Sequence, residues 1–361
     1  MDLSPFPYQG PLEPAEVHGR DDLIADLTER VTSRRVTALL GPRRYGKTSV
    51  LRRLAADLAE VTTVWVDLYE VTSMADVAVR FDDALGATSG RFAAAARTVA
   101  AGVAVNLGVV KVELTGPARN RPDPALAFHG LLDVLVAAAT REPTLLVVDE
   151  FSSIGRVEGA AGALRTAIQH HYSEFGIVFA GSHPSMMRKL FTARPEPFYG
   201  QADLVEIDPL SPKAVEAIVG SGFASTGRDA GHVAGLIMSF TAGHPQRTMQ
   251  LADACWRHTP PGRTAGTETW AAAVADVRRA TEEGMERLYS GFERGERSVL
   301  RALARGGSIY GAEADLLELS NGTATHARRT LLDSGDLEER DTGLAVVDPV
   351  LADWLRQRFP I

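Results

Sequence analysis

Cysteine occurs once in the 361 residues, at Cys255. A single thiol excludes an internal disulfide framework and a cysteine-based zinc site. Cys255 sits in a helix-like run and reads as a buried small apolar residue, compatible with a reducing compartment. Lysine is almost as scarce, with four residues against 34 arginines. That imbalance reads as codon usage of a GC-rich genome rather than as a site. The formal net charge of −8 gives no general basic footprint for nucleic acid. Long apolar runs are missing as well. Residues 99–110 are apolar, but the stretch has only 12 residues and contains Gly102, Asn106 and Gly108, too short to span a bilayer. Residues 1–6 carry no basic region followed by an apolar run, so no signal peptide is expected. No internal repeat stands out. A soluble, cytoplasmic protein with no membrane partner is expected, of two or three domains for this length.

Against these absences one motif stands out. Gly41-Pro42-Arg43-Arg44-Tyr45-Gly46-Lys47-Thr48-Ser49 fits G-x-x-x-x-G-K-[ST], a phosphate-binding loop. The glycines let backbone N–H groups turn inward around a β-phosphate. Lys47 can reach the β- and γ-phosphates, and the Thr48 hydroxyl can ligate Mg²⁺. The flanks suit the role. Residues 35–40 read as a short buried strand, and 49–58 as an amphipathic helix with apolar residues at 50, 51, 54, 55 and 58. A helix N-terminus facing an anion follows. The bland rival, a Gly-rich turn without a ligand, explains neither the lysine nor the flanks.

The surrounding sequence alternates. Residues 1–17 carry Pro5, Pro7, Pro11 and Pro14 and read as an extended arm. A helix is expected over 23–32. Strands are expected at 61–68, 144–150, 176–182 and 204–208, and helices at 75–85, 125–140 and 160–173. Residues 103–114 look like a hairpin turning near 106–108, and 117–124 is a Pro/Arg-rich connector. This alternation indicates a parallel α/β sheet over about 35–208. Beyond 209 strands vanish. Helices fit 212–219, 229–241, 245–258 and 267–290. Helices at 293–304, 310–319 and 323–334 and a hairpin over 337–347, turning at 341–343, give a winged-helix pattern. The domain reading is an arm at 1–20, a core at 21–208, a helical segment at 209–290 and a winged helix at 291–361.

Five further groups carry chemistry. Asp149 and Glu150 end an apolar strand, a Walker B-type signal. Such a strand is expected beside the P-loop strand, with Asp149 holding Mg²⁺ and Glu150 orienting and polarising an attacking water. Ser182 and His183 end the next strand. Ser182 can bond a γ-phosphate or the water; the rival reading is a loop cap with a surface imidazole. Arg188, Arg194 and Arg247 could each supply an arginine finger, within the chain or to a neighbouring subunit, or be solvated surface arginines. Arg43 and Arg44 occupy variable loop positions and face phosphate, solvent or a partner. Gly243-His244-Pro245 opens a helix with proline at a normal first position; packing of the turn against adenine is the functional rival.

Taken together these residues resemble the archaeal-type ATPase family within the AAA+/STAND group of P-loop NTPases. The resemblance rests on His18-Gly19-Arg20-Asp21, the loop at 41–49, Leu146-Val147-Val148-Asp149-Glu150-Phe151, Ala180-Gly181-Ser182 and Gly243-His244-Pro245, over roughly residues 5–260. It implies a P-loop NTPase of α/β class with a parallel sheet core, a helical lid at 209–290 and a C-terminal winged helix. It implies ATP or ADP as the bound nucleotide, with Val17 to Arg20, including Gly19, on the adenine side. One departure is visible. Phe198-Tyr199-Gly200-Gln201-Ala202 carries Gln201 where the family pattern has arginine, which moves that role elsewhere, to Arg194 for example, or slows turnover.

The winged helix invites a DNA-binding reading, and charge tests it. Residues 292–361 hold nine basic and twelve acidic side chains, a net of −3. The wing carries Glu338, Glu339 and Asp341, unfavourable toward phosphates, while the third helix offers His326, Arg328 and Arg329. Packing on the ATPase core or on a protein partner is favoured over DNA. The leading expectation is a Mg²⁺-dependent ATPase acting as a conformational switch, with a homo-oligomer or a protein as partner. The alternatives are a DNA-binding AAA+ protein of replication, transposition or transcription control, and a nucleotide-binding scaffold with negligible turnover.

Overall fold

The computed structural model describes residues 3–102, 107–108, 123–311, 316–340 and 343–359. The chain divides into two compact units: Asp21–Gly41 with Lys47–Ile207, and Met1–Arg20 with Pro42–Gly46 and Asp208–Ile361.

The first unit is built on five parallel strands: β1 (Thr37–Leu40), β2 (Thr62–Asp67), β3 (Thr144–Asp149), β4 (Gly176–Gly181) and β5 (Asp203–Glu206), in the order β2-β3-β4-β1-β5. β1, β3 and β4 are buried at every residue, as strands covered on both faces must be. That is why they read as continuous apolar runs. The expectation that the Asp149 strand lies beside the P-loop strand is corrected here: β4 stands between β3 and β1. Each central strand of a parallel sheet carries the same apolar signature, so sequence cannot rank them across the sheet. The register still brings the carboxyl ends to one edge, with Leu40 opposite Gly181 and Val148 opposite Phe179.

Helices α1 (Asp21–Thr32), α2 (Lys47–Asp57), α3 (Met74–Gly86), α4 (Gly90–Gly102), α5 (Pro124–Ala139), α6 (Ala160–Ile168) and α7 (Pro184–Thr192) complete the unit. α1 packs on β1 and β4, and α3 packs on β2 and against α5, which also meets α4. Two of these escaped the sequence reading. α4 buries Phe92 with Ala93, Ala96 and Ala100, a face of little apolar contrast. α7 has nine residues opened by Pro184, too short for a clear period. The hairpin expected over 103–114 lies almost wholly outside the described residues. Behind the strand ends sits an aromatic cluster. Phe151 and Phe179 are 4.3 Å apart between ring centroids, and both pack on Phe191 and Phe198 at 5.2 to 5.7 Å.

The second unit is helical: α8 (Pro212–Ala224), α9 (Val233–Thr241), α10 (Pro245–Arg257), α11 (Thr267–Gly291), α12 (Arg294–Ala304), α13 (Asn321–Ser334) and α14 (Pro349–Arg358). An antiparallel hairpin, β6 (Leu337–Arg340) with β7 (Gly343–Val346), precedes α14. Ser211, Ser320 and Asp348 cap α8, α13 and α14 through their side-chain oxygens. α14, unforeseen in the sequence, buries Val350, Leu351, Trp354 and Leu355. Of the helix expected over 310–319, residues 312–315 lie outside those described, and of the other six only Leu316 is helical. The proline-bearing arm is part of this core: Phe6 is buried against Phe223, and the Tyr8 carbonyl accepts from Gln246. Cys255 is buried here, its thiol pushed up to about 12 by burial.

His244 is buried at the turn into α10, where its Nδ1 accepts from the Arg247 amide. Burial pulls its pKa down to about 4, with Asp348 opposing and Arg247 and Arg44 assisting; the Tyr45 ring meets it edge-on.

Two outcomes follow. Phe179→Ala removes the ring that touches three others and should cost about 3–5 kcal/mol in denaturant unfolding. For His244, the unfolded state binds the proton first, so stability rises with pH through the window between the ordinary histidine value and about 4. Acidification from pH 7 to 4 should cost up to about 3 kcal/mol, and His244→Asn should flatten that dependence. Parallel curves for wild type and variant would refute the assignment.

Candidate functional site

The phosphate-loop sequence leaves β1 at Leu40 and enters α2 at Lys47. Gly41 is required by packing: a Cβ there would lie 2.2 Å from Ile207 Cγ2, where the Ile207 amide donates to the Leu40 carbonyl at 2.8 Å. Gly46 adopts φ +87°, the left-handed region that glycine enters without strain. Arg44 adopts φ +67° without that freedom.

Within the first unit the chemistry-bearing side chains converge. Lys47 is buried, and its Nζ donates to the Gly41 carbonyl at 2.7 Å. Thr48 Oγ1 donates to Asp149 Oδ2 at 2.9 Å, although 101 residues separate them. Asp149 is buried at the end of β3, and its other oxygen accepts from the Glu150 amide at 2.9 Å. Burial raises the Asp149 carboxyl above its ordinary value, the Thr48 hydrogen bond opposing. Glu150 takes a left-handed conformation, φ +51° and ψ +37°, as the chain turns from β3 into the 3-10 helix Phe151–Arg156. This turn, fixed by Phe151 in the aromatic cluster, aims the carboxylate at β4. There the Ser182 hydroxyl donates to Glu150 Oε1, and the Ser182 amide lies 3.3 Å from Oε2. The sequence singled out Glu150 and Ser182 separately. Their mutual contact depends on strand adjacency and a turn that no local pattern records. His183 begins α7, with Nδ1 3.3 Å from Ser152 Oγ. Ser49 is buried in the first turn of α2.

The arginines differ in surroundings. Arg188 pairs with Glu206. Arg194 is exposed in the loop after α7, with no ion pair among the described residues. Gln201 donates to the Tyr199 carbonyl at 3.3 Å.

In the second unit, Arg20 donates to the carbonyls of Asp208, at 2.7 Å, and Tyr45, at 3.4 Å. Burial lowers its pKa to about 10. Gly19 lies over Ala214 of α8. Pro245 is the first residue of α10 and is half-buried. Arg247 is buried and donates through Nε to Asp348 at 2.9 Å and through Nη1 to Gln250 at 2.6 Å. Pro42 is buried and Arg43 exposed.

Thr48 and Asp149 together present a hydroxyl and a carboxylate, the oxygen donors a hard cation takes. No cluster of three or more His, Cys, Asp or Glu residues able to hold a metal occurs among the described residues. Thr48 Oγ1 and the Asp149 carboxylate are the oxygens of this site that could hold such a cation.

No protein-family model matches the chain, and no curated protein sequence matches it. Solved structures do. A Walker-type ATPase of Pyrococcus abyssi superposes with a TM-score of 0.71 at 17% identity, covering 98% of this chain and 99% of that one. The Aeropyrum pernix ORC2 protein, solved as ADPNP–ADP complexes, gives 0.55 at 15% identity, covering 98% of each chain. The Aeropyrum pernix ORC1 protein, solved in complex with DNA, gives 0.50 at 14% identity, over 94% and 93%. No described helix is long and apolar enough to cross a membrane. At these identities the likeness is one of fold: the chain has the α/β fold of a P-loop ATPase, a parallel sheet core followed by a helical region with a closing hairpin.

Proposed function

We propose that this chain binds ATP with Mg²⁺ and hydrolyses it, and that turnover switches the arrangement of ATPase core, helical lid and winged helix. The observation that supports it most is the gathering of Lys47, Thr48, Asp149, Glu150 and Ser182 at the carboxyl ends of β1, β3 and β4. Backbone amides of residues 42–49 bind the phosphates, and the Lys47 ammonium exchanges the Gly41 carbonyl for β- and γ-phosphate oxygens. Thr48 and Asp149 hold Mg²⁺, which neutralises charge on those oxygens when bound. Glu150 accepts a proton from water as its oxygen attacks the γ-phosphorus, and the bond to the ADP oxygen breaks. Ser182 holds the Glu150 carboxylate by a charge-assisted hydrogen bond. Arg20 serves the adenine side by fixing the Tyr45 and Asp208 carbonyls, with Gly19 and Pro245 beside it. Arg194, exposed and free of ion pairs among the described residues, is the arginine available to a neighbouring copy.

Phosphate release tests this reading. Glu150→Gln should lower turnover by about 10²-fold or more while retaining ATP. Lys47→Ala should weaken nucleotide binding itself. Equal background release from wild type and Glu150→Gln would leave a nucleotide-binding scaffold.

A DNA-binding role is favoured by the exposed His326 and Arg329 on α13, although Arg329 lies 3.9 Å from Asp333 of the same helix, and by the neighbour solved with DNA. Arg328 of the same helix is paired with Glu339 of the hairpin. Retention on duplex DNA that falls steeply with salt would favour this role; no retention at low salt would remove it.

A further inference from the structure

Residues 44 and 45 of the phosphate loop fill positions that G-x-x-x-x-G-K-[ST] leaves open, yet they are among the most heavily engaged in the second unit. Tyr45 is 1% exposed. Its hydroxyl lies 3.0 Å from both carboxylate oxygens of Glu338 on β6. Arg340, on the same strand, donates to that carboxylate. The Tyr45 ring meets His244 edge-on at 5.1 Å, and its carbonyl accepts from Arg20. Next to it, the Arg44 guanidinium lies 3.7 Å from Asp348 Oδ2. Asp348 is itself fixed, accepting from buried Arg247 and capping α14 through the Val350 amide at 2.9 Å. The loop tip is thus tied to residues roughly 200 to 300 positions away, on the α10 turn, the hairpin and the start of α14.

These ties explain a strained backbone. A non-glycine residue at φ +67° is strained and persists where its surroundings over-determine it. Positive φ at Arg44 and at Gly46 flanks Tyr45 on both sides, and a loop that alternates backbone handedness in this way is the kind that can turn amides toward an anion. An apolar core position would need only the ring of Tyr45. The carboxylate under its hydroxyl, oriented by Arg340, is a polar tie with a direction.

We infer that Glu338 and Asp348 are positioning residues for the phosphate-binding loop: through Tyr45 and Arg44 they hold its tip in the shape that accepts phosphate. The nucleotide effect rests on the ATP-binding reading above; the clamp on the loop does not. By linkage, whatever the hairpin does to nucleotide affinity, nucleotide does equally to the hairpin. A ligand seated on the β6–β7 hairpin would therefore alter nucleotide affinity without touching the site.

The test uses the full chain as wild type, Tyr45→Phe, Glu338→Ala, Glu338→Gln and Tyr45→Phe/Glu338→Ala, each checked for folding by thermal unfolding. In the free protein, amide hydrogen exchange over residues 43–47 should quicken about tenfold in Tyr45→Phe and Glu338→Ala, and less in Glu338→Gln, which keeps an acceptor. ATP and ADP affinity, measured by calorimetry, should weaken about five- to twentyfold in each single variant, with the double variant no worse than either. Nucleotide should slow exchange in β6 and β7 of wild type and leave them unchanged in Tyr45→Phe. Unchanged exchange over 43–47, additive losses, or tighter binding in Tyr45→Phe would overturn the inference. If wild type binds neither nucleotide, the ATP reading fails, and exchange over 43–47 in the free protein still decides the clamp. The Phe variant keeps the ring, so loss of core packing cannot produce the effect.

Discussion

Asp149 is a carboxylate buried at the end of a fully buried strand, and a charge so placed must be paired or satisfied by hydrogen bonds. Much of the candidate site follows from that requirement. One oxygen takes the Thr48 hydroxyl, which fixes the first turn of α2 against β3. The other takes the Glu150 amide, which forces the chain into the left-handed turn that delivers the Glu150 side chain to Ser182. Burial, with the neighbouring Glu150 charge, pushes the Asp149 carboxyl up, and the hydrogen bonds from Thr48 and the Glu150 amide oppose it.

The elements legible in sequence were those whose environment is extreme. β3 and β4 are buried at every position, so their composition alone marks them as strands. α10 and α11 carry long apolar faces opened by Pro245 and Gly266, and their bounds lie close to the periodicity. α4 failed to show because alanine is at home in both core and surface. α14 failed because it follows the hairpin at Pro349 and its buried residues, Val350, Leu351, Trp354 and Leu355, span only two turns. Strand order was illegible for a different reason: it depends on the path of each crossover, and β1 and β3 look alike whether or not β4 separates them.

The site divides along the same line. Residues 41–49 are contiguous, and their spacing is itself the chemistry. Asp149 and Glu150 were legible because an apolar strand ending in acids is unusual. Long-range relations left no trace. Nothing near Tyr45 points to Glu338, and nothing near Arg247 shows that it is buried against Asp348 rather than free to reach phosphate. Arg20 likewise looked like a base-side residue, and its guanidinium is engaged by two backbone carbonyls.

The acidic surplus of the C-terminal region takes on a different meaning once these relations are known. As composition, twelve acids against nine bases argue against a polyanion partner. In the structure four of those acids are paired with arginines, three of them largely buried and Glu339 exposed. Asp348 pairs with Arg247, Asp353 with Arg278, Glu338 with Arg340 and Glu339 with Arg328. An acid neutralised within its own unit repels an outside phosphate far less than a free one. The same pairing consumes the bases: Arg328, on the helix that would face DNA, is held by Glu339. Among the described hairpin residues, Glu338 is mostly buried while Glu339 stays exposed beside Arg328. Glu338 and Asp348 each have a contact inside their own unit, with the Tyr45 hydroxyl and the Arg44 guanidinium respectively, so part of the acidic surplus is engaged internally.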